Sequence, residues 1–120
     1  MRLVDKIESA RRVIADYDIL NPDAEQVFIT YGAPVRTVQQ VMHDHPDKNI
    51  GFLRLRTVWP FPEFALGEFR KARHFLVPEM DLGQIAREIE RHVKIPVISL
   101  PKLGGELHTP SELLAALEVH

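Results

Sequence analysis

The most informative stretch of this sequence is Gln26-Val27-Phe28-Ile29-Thr30-Tyr31-Gly32-Ala33-Pro34, which combines a strand, a tight turn and a helix start. β-Branched and aromatic residues fill five of its first six positions, and this composition is typical of a buried strand. The strand stops at Gly32. Pro34 suits a first helical turn, because the amide hydrogen that proline lacks would have no partner there. The apolar face of this helix is formed by Val35, Val38, Val41 and Met42.

Strand–helix units of the same kind follow along the chain. We predict strands at 50–56, 75–77 and 95–100, and helices at 63–72, from Asp81 to Val93, and from Pro110. A short edge strand, Tyr17-Asp18-Ile19-Leu20, precedes the first unit. Such alternation predicts a three-layer α/β/α fold with a mostly parallel sheet of about five strands, in which one edge strand could run antiparallel. Pro96 favours either an edge position for the last strand or a place at the strand's first residue.

The chain has 120 residues, which fits one domain. Residues 1–16 are predicted to form a linker helix with a thin apolar stripe, and residues 17–120 to form the α/β domain. The formal net charge is −2, so there is no global field to attract nucleic acid or an anionic membrane. The charged start of the chain argues against a secretory signal, and no apolar run approaches the length of a membrane span. We therefore expect a cytoplasmic protein.

Candidate functional residues cluster where the predicted strands end. Ligand sites of open α/β sheets form beyond the carboxyl ends of the strands. Around those ends the sequence carries a glycine turn, an aromatic loop, acids and bases. The candidate contact or substrate-approach residues are Gly32, Arg56, Thr57, Trp59, Phe61, Glu79, Asp81 and Gln84.

Each of these candidates has a plain structural alternative. Gly32 could approach a phosphate at the following helix, but the chain lacks the GxGxxG and Walker A patterns, which favours a simple tight turn. Glu79 and Asp81 could form a general acid/base pair. The favoured alternative is that Asp81 caps its helix, with Gln84 reaching back, while Glu79 binds a backbone group or an arginine such as Arg56.

The remaining aromatic and histidine residues are less specific. Trp59 and Phe61, held between prolines, suit either a partner contact or packing onto the core. His43-Asp44-His45 favours a solvated helix end over a metal site, because residues two apart face different sides of a helix. The loop histidine His108 carries no visible constraint. The chain has no cysteine, which excludes disulfides, thiolate metal sites and iron–sulfur ligation by this chain.

Four blocks of the sequence together resemble one family, the 2-oxoacid:ferredoxin oxidoreductase alpha subunits. The turn at 28–33 is similar to that family's "YGS" turn, and 51–62 to its "LLRLKTLWPFP" block. The segments 77–84 and 104–112 resemble its "VPEMNLGQ" and "GGELITPEEI" blocks. The resemblance covers about residue 24 to the C-terminus, with Ala33 where the family often has serine and Asp81 where it has asparagine.

This resemblance implies a transketolase C-terminal-like domain with no catalytic, cofactor-binding or metal-binding residues of its own. In such enzymes thiamine diphosphate, magnesium and iron–sulfur clusters lie in other domains and in a thiamine-binding beta subunit, and the full complex uses ferredoxin and CoA. The chain is then expected to be a non-catalytic assembly domain. Two alternatives stay open. One is a free-standing regulatory module that binds a small anion or CoA-like ligand at Gly32, and the other is the equivalent domain of another thiamine enzyme.

Overall fold

The computed structural model describes residues 17–56, 62–80, 84–102 and 107–120. Within these ranges the strands are β1 (Tyr17–Leu20), β2 (Gln26–Tyr31), β3 (Ile50–Leu55), β4 (His74–Glu79) and β5 (Val97–Pro101). The helices are α1 (Pro34–Asp44), a 3₁₀ helix (Glu63–Glu68), α2 (Gln84–Glu90) and α3 (Pro110–Val119). The predicted linker helix over 1–16 lies outside the described residues.

The five strands form one sheet in the order β1-β3-β2-β4-β5. β2 pairs in parallel with both β3 and β4, and β5 pairs in parallel with β4. β1 runs antiparallel to β3 at one edge. The predicted mostly parallel sheet with an antiparallel edge strand is therefore confirmed. β5 occupies the other edge, as Pro96 indicated, and Pro96 itself lies just before the strand.

Helices cover both faces of the sheet, as predicted for a three-layer fold. Because side chains alternate along a strand, β2 sends Val27 and Ile29 to one face and Phe28 to the other. The first face is covered by α2 (Ile85, Ala86 and Ile89), by the 3₁₀ helix (Ala65 and Leu66) and by Phe69 just after that helix. The second is covered by α1 and α3 through Val35, Val38, Val41, Leu113 and Leu117.

The predicted α-helix over 63–72 is wrong, because the chain forms a 3₁₀ helix that ends at Glu68. Gly67 weakens the helical preference of this segment. Phe69 then leaves the helix and packs edge-on against Phe75, with ring centroids 6.2 Å apart. Its amide donates to the Leu66 carbonyl at 3.2 Å, which closes the segment with a three-residue turn. Burial of one aromatic side chain thus overrides the helical pattern.

The predicted end of β4 before Pro78 is also wrong, because the strand continues to Glu79. Paired positions between β2 and β4 end at Phe28 and Leu76, so the proline lies beyond that pairing. Its carbonyl accepts a hydrogen bond from the Thr30 hydroxyl at 2.6 Å. The Thr30 side chain of β2 thus forms a hydrogen bond with the β4 backbone at Pro78, a residue that has no amide hydrogen to donate.

The predicted start of α3 is confirmed as a capping box. The Thr109 hydroxyl accepts from the Glu112 amide at 3.2 Å, and the Glu112 carboxylate accepts from the Thr109 amide at 2.9 Å. Lys102 places its ammonium 2.7 Å from the same carboxylate. The hydrogen bond from Lys102 and that from the Thr109 backbone hold the pKa of Glu112 below its ordinary value.

The absence of constraint predicted for His108 is wrong, because its side chain is 94% buried, at 6% exposure. Its Nε2 bonds the Leu100 carbonyl of β5, and its own carbonyl accepts from the Thr37 hydroxyl of α1 at 3.1 Å. The ring therefore joins the loop before α3 to β5, and the backbone carbonyl of the same residue joins that loop to α1. Its Nδ1 is buried without a hydrogen-bond partner among the described residues.

His74 is buried at the amino end of β4, where it contacts Gln26 of β2. The Gln26 amide nitrogen lies 3.3 Å from His74 Nε2 and donates to the Leu117 carbonyl of α3 at 2.8 Å. A neutral ring accepts this amide donor, whereas a protonated ring would oppose it with a second donor. Burial lowers the pKa of His74 from its usual 6.5, and the positive charges of Arg73 and His120 lower it further.

We predict that the free energy of unfolding falls as the pH drops below about 6.5, the pKa of an unfolded histidine. The unfolded chain binds a proton there while folded His74 still resists one, so stability rises with pH in this window. The loss levels off once the pH passes the lowered folded pKa. Urea unfolding between pH 8 and pH 5.5 measures the slope, and His74→Gln should reduce it. An unchanged slope in that variant would rule out His74 as the source.

Candidate contact site at the carboxyl edge

The carboxyl ends of β2 and β4 border a crevice at the centre of the sheet. β2 leads into α1 on one face of the sheet, and β4 leads into α2 on the other. After β2 the chain adds β3 on one side of it, and it then adds β4 on the other side. The order in which strands are added therefore reverses between β2 and β4. Such a reversal is the place where open α/β sheets form ligand and contact sites. Because paired positions between β2 and β4 stop at Phe28 and Leu76, the two strand ends separate beyond that point.

A cavity of about 140 Å³ lies in this crevice. It is bounded by the end of β2 and the start of α1 on one side, and by the end of β4 and the start of α2 on the other. The residues that line it are Thr30, Tyr31, Gly32, Ala33, Pro34, Pro78, Glu79, Met80 and Ile85. Small-molecule pockets usually enclose roughly 300–1,000 Å³, so this cavity is too small for a CoA-like ligand.

Gly32 forms the tight turn between β2 and α1 at the rim of the cavity. Its φ of +76° lies in the left-handed region, where a side chain is strained. A Cβ built on it would meet nothing within 4 Å, so the backbone angle and not crowding favours glycine. α1 begins after Ala33 with no side-chain cap. The structure therefore supports the turn role of Gly32.

Glu79 is buried in the cavity wall with 2% of its surface exposed. One carboxylate oxygen accepts from the Ile85 amide at 2.8 Å. The other accepts from the Ala86 amide at 3.4 Å and from the Ser99 hydroxyl at 2.9 Å. Amide donors at a helix start stabilise a carboxylate there. These contacts match the structural interpretation of Glu79, in which the carboxylate binds backbone groups.

The suggested pairing of Glu79 with an arginine such as Arg56 is not the pairing that the described residues show. Arg56 donates to the Asp18 carboxylate at 2.7 Å, and Arg54 lies 3.8 Å from the same oxygen. The reason is the antiparallel edge strand, which sets Asp18 directly opposite Arg54. Arg56 thus belongs to the β1 side of the edge. Gln84 begins α2 and is exposed to solvent.

The same edge exposes three large apolar side chains that the sequence-based candidates do not include. Tyr31 ends β2 and is 44% exposed, and Met80 follows β4 at 36%. Leu107 lies between β5 and α3 and is 56% exposed. They lie at or after the carboxyl ends of β2, β4 and β5, three consecutive strands of the sheet, and we refer to them as the apolar strip of this edge. The sequence placed Tyr31 at the end of a predicted strand and Met80 shortly after another, whereas Leu107 lies seven residues beyond the predicted end of the last strand.

The structure thus brings Gly32 and Glu79 together around one cavity and sets Arg56 apart from it. Thr57, Trp59, Phe61 and Asp81 lie outside the described residues, and their roles stay predictions. In the described ranges, no three histidine, aspartate or glutamate side chains cluster so as to hold a metal ion. Likewise, no helix among the described residues is long and apolar enough to cross a membrane.

The fold defines the class of this protein as an open α/β domain with helices on both faces of a mostly parallel sheet. A family model described as pyruvate:ferredoxin oxidoreductase core domain II matches residues 24–113. The chain belongs to this family. Membership confirms the resemblance to 2-oxoacid:ferredoxin oxidoreductases and argues against the domain of another kind of thiamine enzyme.

Archaeal proteins resemble this chain over nearly its whole length. It is 44% identical to the 2-oxoglutarate synthase subunit KorA of Methanocaldococcus jannaschii, with 97% of the chain and 32% of the relative covered. It is 39% identical to the KorA subunit of Methanothermobacter marburgensis, with 94% and 32% covered. The chain therefore spans about a third of the length of these relatives.

A solved structure confirms the fold. It is the 2-oxoglutarate:ferredoxin oxidoreductase from Magnetococcus marinus with 2-oxoglutarate, coenzyme A and succinyl-CoA bound. The TM-score is 0.80 over 93% of this chain and 21% of that one, at 19% identity. At this identity the likeness concerns the fold alone.

Proposed function

We propose that this chain is a non-catalytic assembly domain of a 2-oxoacid:ferredoxin oxidoreductase and that its carboxyl edge is a contact surface. The observation that carries the proposal is the hydrogen bonding of the Glu79 carboxylate. This acid sits at the position where a reactive group would be expected, and its carboxylate is occupied by two backbone amides and a hydroxyl. The groups left exposed beside it, Tyr31 and Met80, suit packing against a protein.

The proposed full complex would oxidatively decarboxylate a 2-oxoacid to an acyl-CoA and reduce ferredoxin. The shared name of the relatives favours 2-oxoglutarate as the 2-oxoacid. Thiamine diphosphate, magnesium and iron–sulfur clusters would be held by other domains and subunits. Two observations support this division: the chain has no cysteine to ligate an iron–sulfur cluster, and the acids and histidines of the described ranges form no metal cluster. The proposed partners are the rest of the alpha subunit and a thiamine-binding beta subunit.

Polar substitutions on the apolar strip test the contact role. We expect Tyr31→Ser combined with Leu107→Ser to weaken association with the partner polypeptides at least about tenfold, equivalent to about 1.4 kcal/mol. Tyrosine is enriched among binding hot spots, and both substitutions remove apolar area that the proposed interface would bury. Co-purification and a titration of the partner against the purified chain measure the effect.

Val119→Ser is the matched control, because Val119 is 77% exposed at the far end of α3, near the amino edge of the sheet. It should bind the partners as the unmodified chain does. Equal binding by the edge variant and this control would exclude the carboxyl edge as the contact surface. Trp59→Ala is expected to act in the same direction as the edge variant. A rise in melting temperature with CoA would instead favour a ligand-binding module.

A further inference from the structure

We infer that the outer edge of β5 is a surface through which two copies of this chain associate, by antiparallel pairing of β5 with the β5 strand of a second copy. β5 ends the sheet on one side, and among the described residues it pairs with β4 alone. A strand added at this edge would extend the sheet. The surface lies apart from the apolar strip of the carboxyl edge, so the inference goes beyond the proposed contact function.

The backbone groups of β5 point alternately towards β4 and away from it. The Phe75 amide donates to the Pro96 carbonyl at 3.0 Å, which fixes the side of β5 that faces β4. In this parallel register Ile98 turns its amide and carbonyl towards β4. The amides and carbonyls of Val97 and Ser99 therefore point outwards, and no backbone hydrogen bond within the described ranges reaches them.

The outer edge of β5 lacks the charge that usually protects an edge strand from pairing. No charged residue occurs in the sequence between Lys94 and Lys102. The opposite edge differs, because β1 carries Asp18, whose carboxylate accepts from Arg56 at 2.7 Å. Pro96 precedes β5 at a position that faces β4, so its missing amide leaves the outer side of the strand intact. The sequence therefore leaves this edge open to another strand.

Apolar side chains beside β5 also remain partly exposed on both faces of the sheet. They lie at the margins of the two cores, where no further strand covers them within the described ranges. The residues are Val93, Ile95 and Val97 on one face, and Ile98, Leu100 and Leu114 on the other. A strand added to β5 would bury more of this apolar surface, which favours pairing at the edge.

The edge is self-complementary, and this property favours a second copy of the chain as the occupant. In an antiparallel pair centred on Ser99, the backbone groups of Ser99 donate to and accept from those of Ser99 in the second copy. The Val97 amide then meets the carbonyl of Pro101, which needs to supply only an acceptor. Lys94 and Lys102 flank the strand, and this register does not set them opposite one another.

Amide hydrogen exchange in the purified chain tests the pairing directly. We expect the Val97 and Ser99 amides to exchange at least about tenfold more slowly at concentrations where sedimentation shows a dimer than in the dilute monomer. The Ile98 and Leu100 amides are the internal control. They face β4 in either state, so their protection should not depend on concentration.

Val97→Pro and Val97→Ile form a matched pair of variants. Proline removes an outward amide and breaks no hydrogen bond to β4, so Val97→Pro should raise the dimer dissociation constant at least about tenfold. Isoleucine keeps the amide and the β-branched shape, so Val97→Ile should dimerise as the unmodified chain does. Circular dichroism of Val97→Pro measures whether its monomer is folded, and the exchange experiment tests the pairing without any substitution.

The outcomes separate this inference from the contact function. A chain that stays monomeric up to about 500 µM, or a dimer in which Val97 and Ser99 exchange as fast as in the monomer, would overturn it. Protection of these amides that arises only after a partner subunit is added would assign the edge to that subunit and overturn the pairing of two copies. The Tyr31 and Leu107 double variant should dimerise normally, so failure of one proposal leaves the other standing.

Discussion

Replacing Glu79 with alanine is expected to lower the free energy of unfolding by about 3–5 kcal/mol. The substitution leaves the amides of Ile85 and Ala86 and the hydroxyl of Ser99 without their carboxylate acceptor. It also removes a side chain that is 98% buried, at 2% exposure, and opens a cavity in its place. These losses fall at the start of α2, so that helix should loosen first.

Chemical unfolding of Glu79→Ala, Glu79→Gln and a surface control measures this effect. Glu79→Gln keeps one carbonyl acceptor but brings an amide donor towards other donors, so we expect a loss of about 1–2 kcal/mol. Glu90→Ala, at an exposed position of the same helix, should stay within about 0.5 kcal/mol of the unmodified chain. If Glu79→Ala were as stable as Glu90→Ala, the structural role of Glu79 would be excluded.

The same variants bear on function. A catalytic acid is held by the site at some cost in stability, so its replacement by an isosteric amide usually spares the fold and abolishes turnover. Glu79 is expected to behave in the opposite way, with its main effect on folding. In the full complex, Glu79→Gln should therefore lower activity only to the extent that it lowers the amount of assembled enzyme.

The fold was predictable where the signals are local. The β2–Gly32–Pro34 sequence and the Thr109 capping box each depend on residues within a few positions of one another, and both are confirmed. Helix propensity over 63–72 gave the wrong prediction of an α-helix, because the conformation of this segment depends on Phe69 packing against Phe75 of the next strand. Propensity is a weak guide where tertiary packing competes with it.

The site was only partly predictable, because its contacts join residues far apart in sequence. Strand order brings Gly32 and Glu79 to one crevice, and the sequence indicated that edge without giving the order. The partner of Arg56 is Asp18, 38 residues away, which requires knowing that β1 lies beside β3. Exposure of Tyr31 and burial of His108 likewise depend on packing that no local pattern reports.

The second large effect on stability is expected at Gly51. This residue of β3 lies against the turn that contains Asn21. Asn21 occupies the left-handed region with a φ of 50°, and its side-chain amide donates to the Ile50 carbonyl at 2.9 Å. The turn at Asn21 therefore packs closely against β3. A Cβ added at Gly51 would lie 2.9 Å from the Asn21 carbonyl oxygen, 3.1 Å from Val27 and 3.3 Å from Ala24.

We expect Gly51→Ala to lower the free energy of unfolding by about 1–3 kcal/mol, the usual cost of overpacking a filled core. The nearest atom is a backbone oxygen held by the Ala24 amide at 3.1 Å, so it cannot move aside as the end of a side chain could. Gly67→Ala is the matched control, because a Cβ there meets nothing within 4 Å. That variant should be neutral or gain up to about 1 kcal/mol. Equal urea midpoints for the two variants would show that the turn at Asn21 can shift to accommodate the added Cβ. The contact of this turn with β3 would then not fix how β1 enters the sheet.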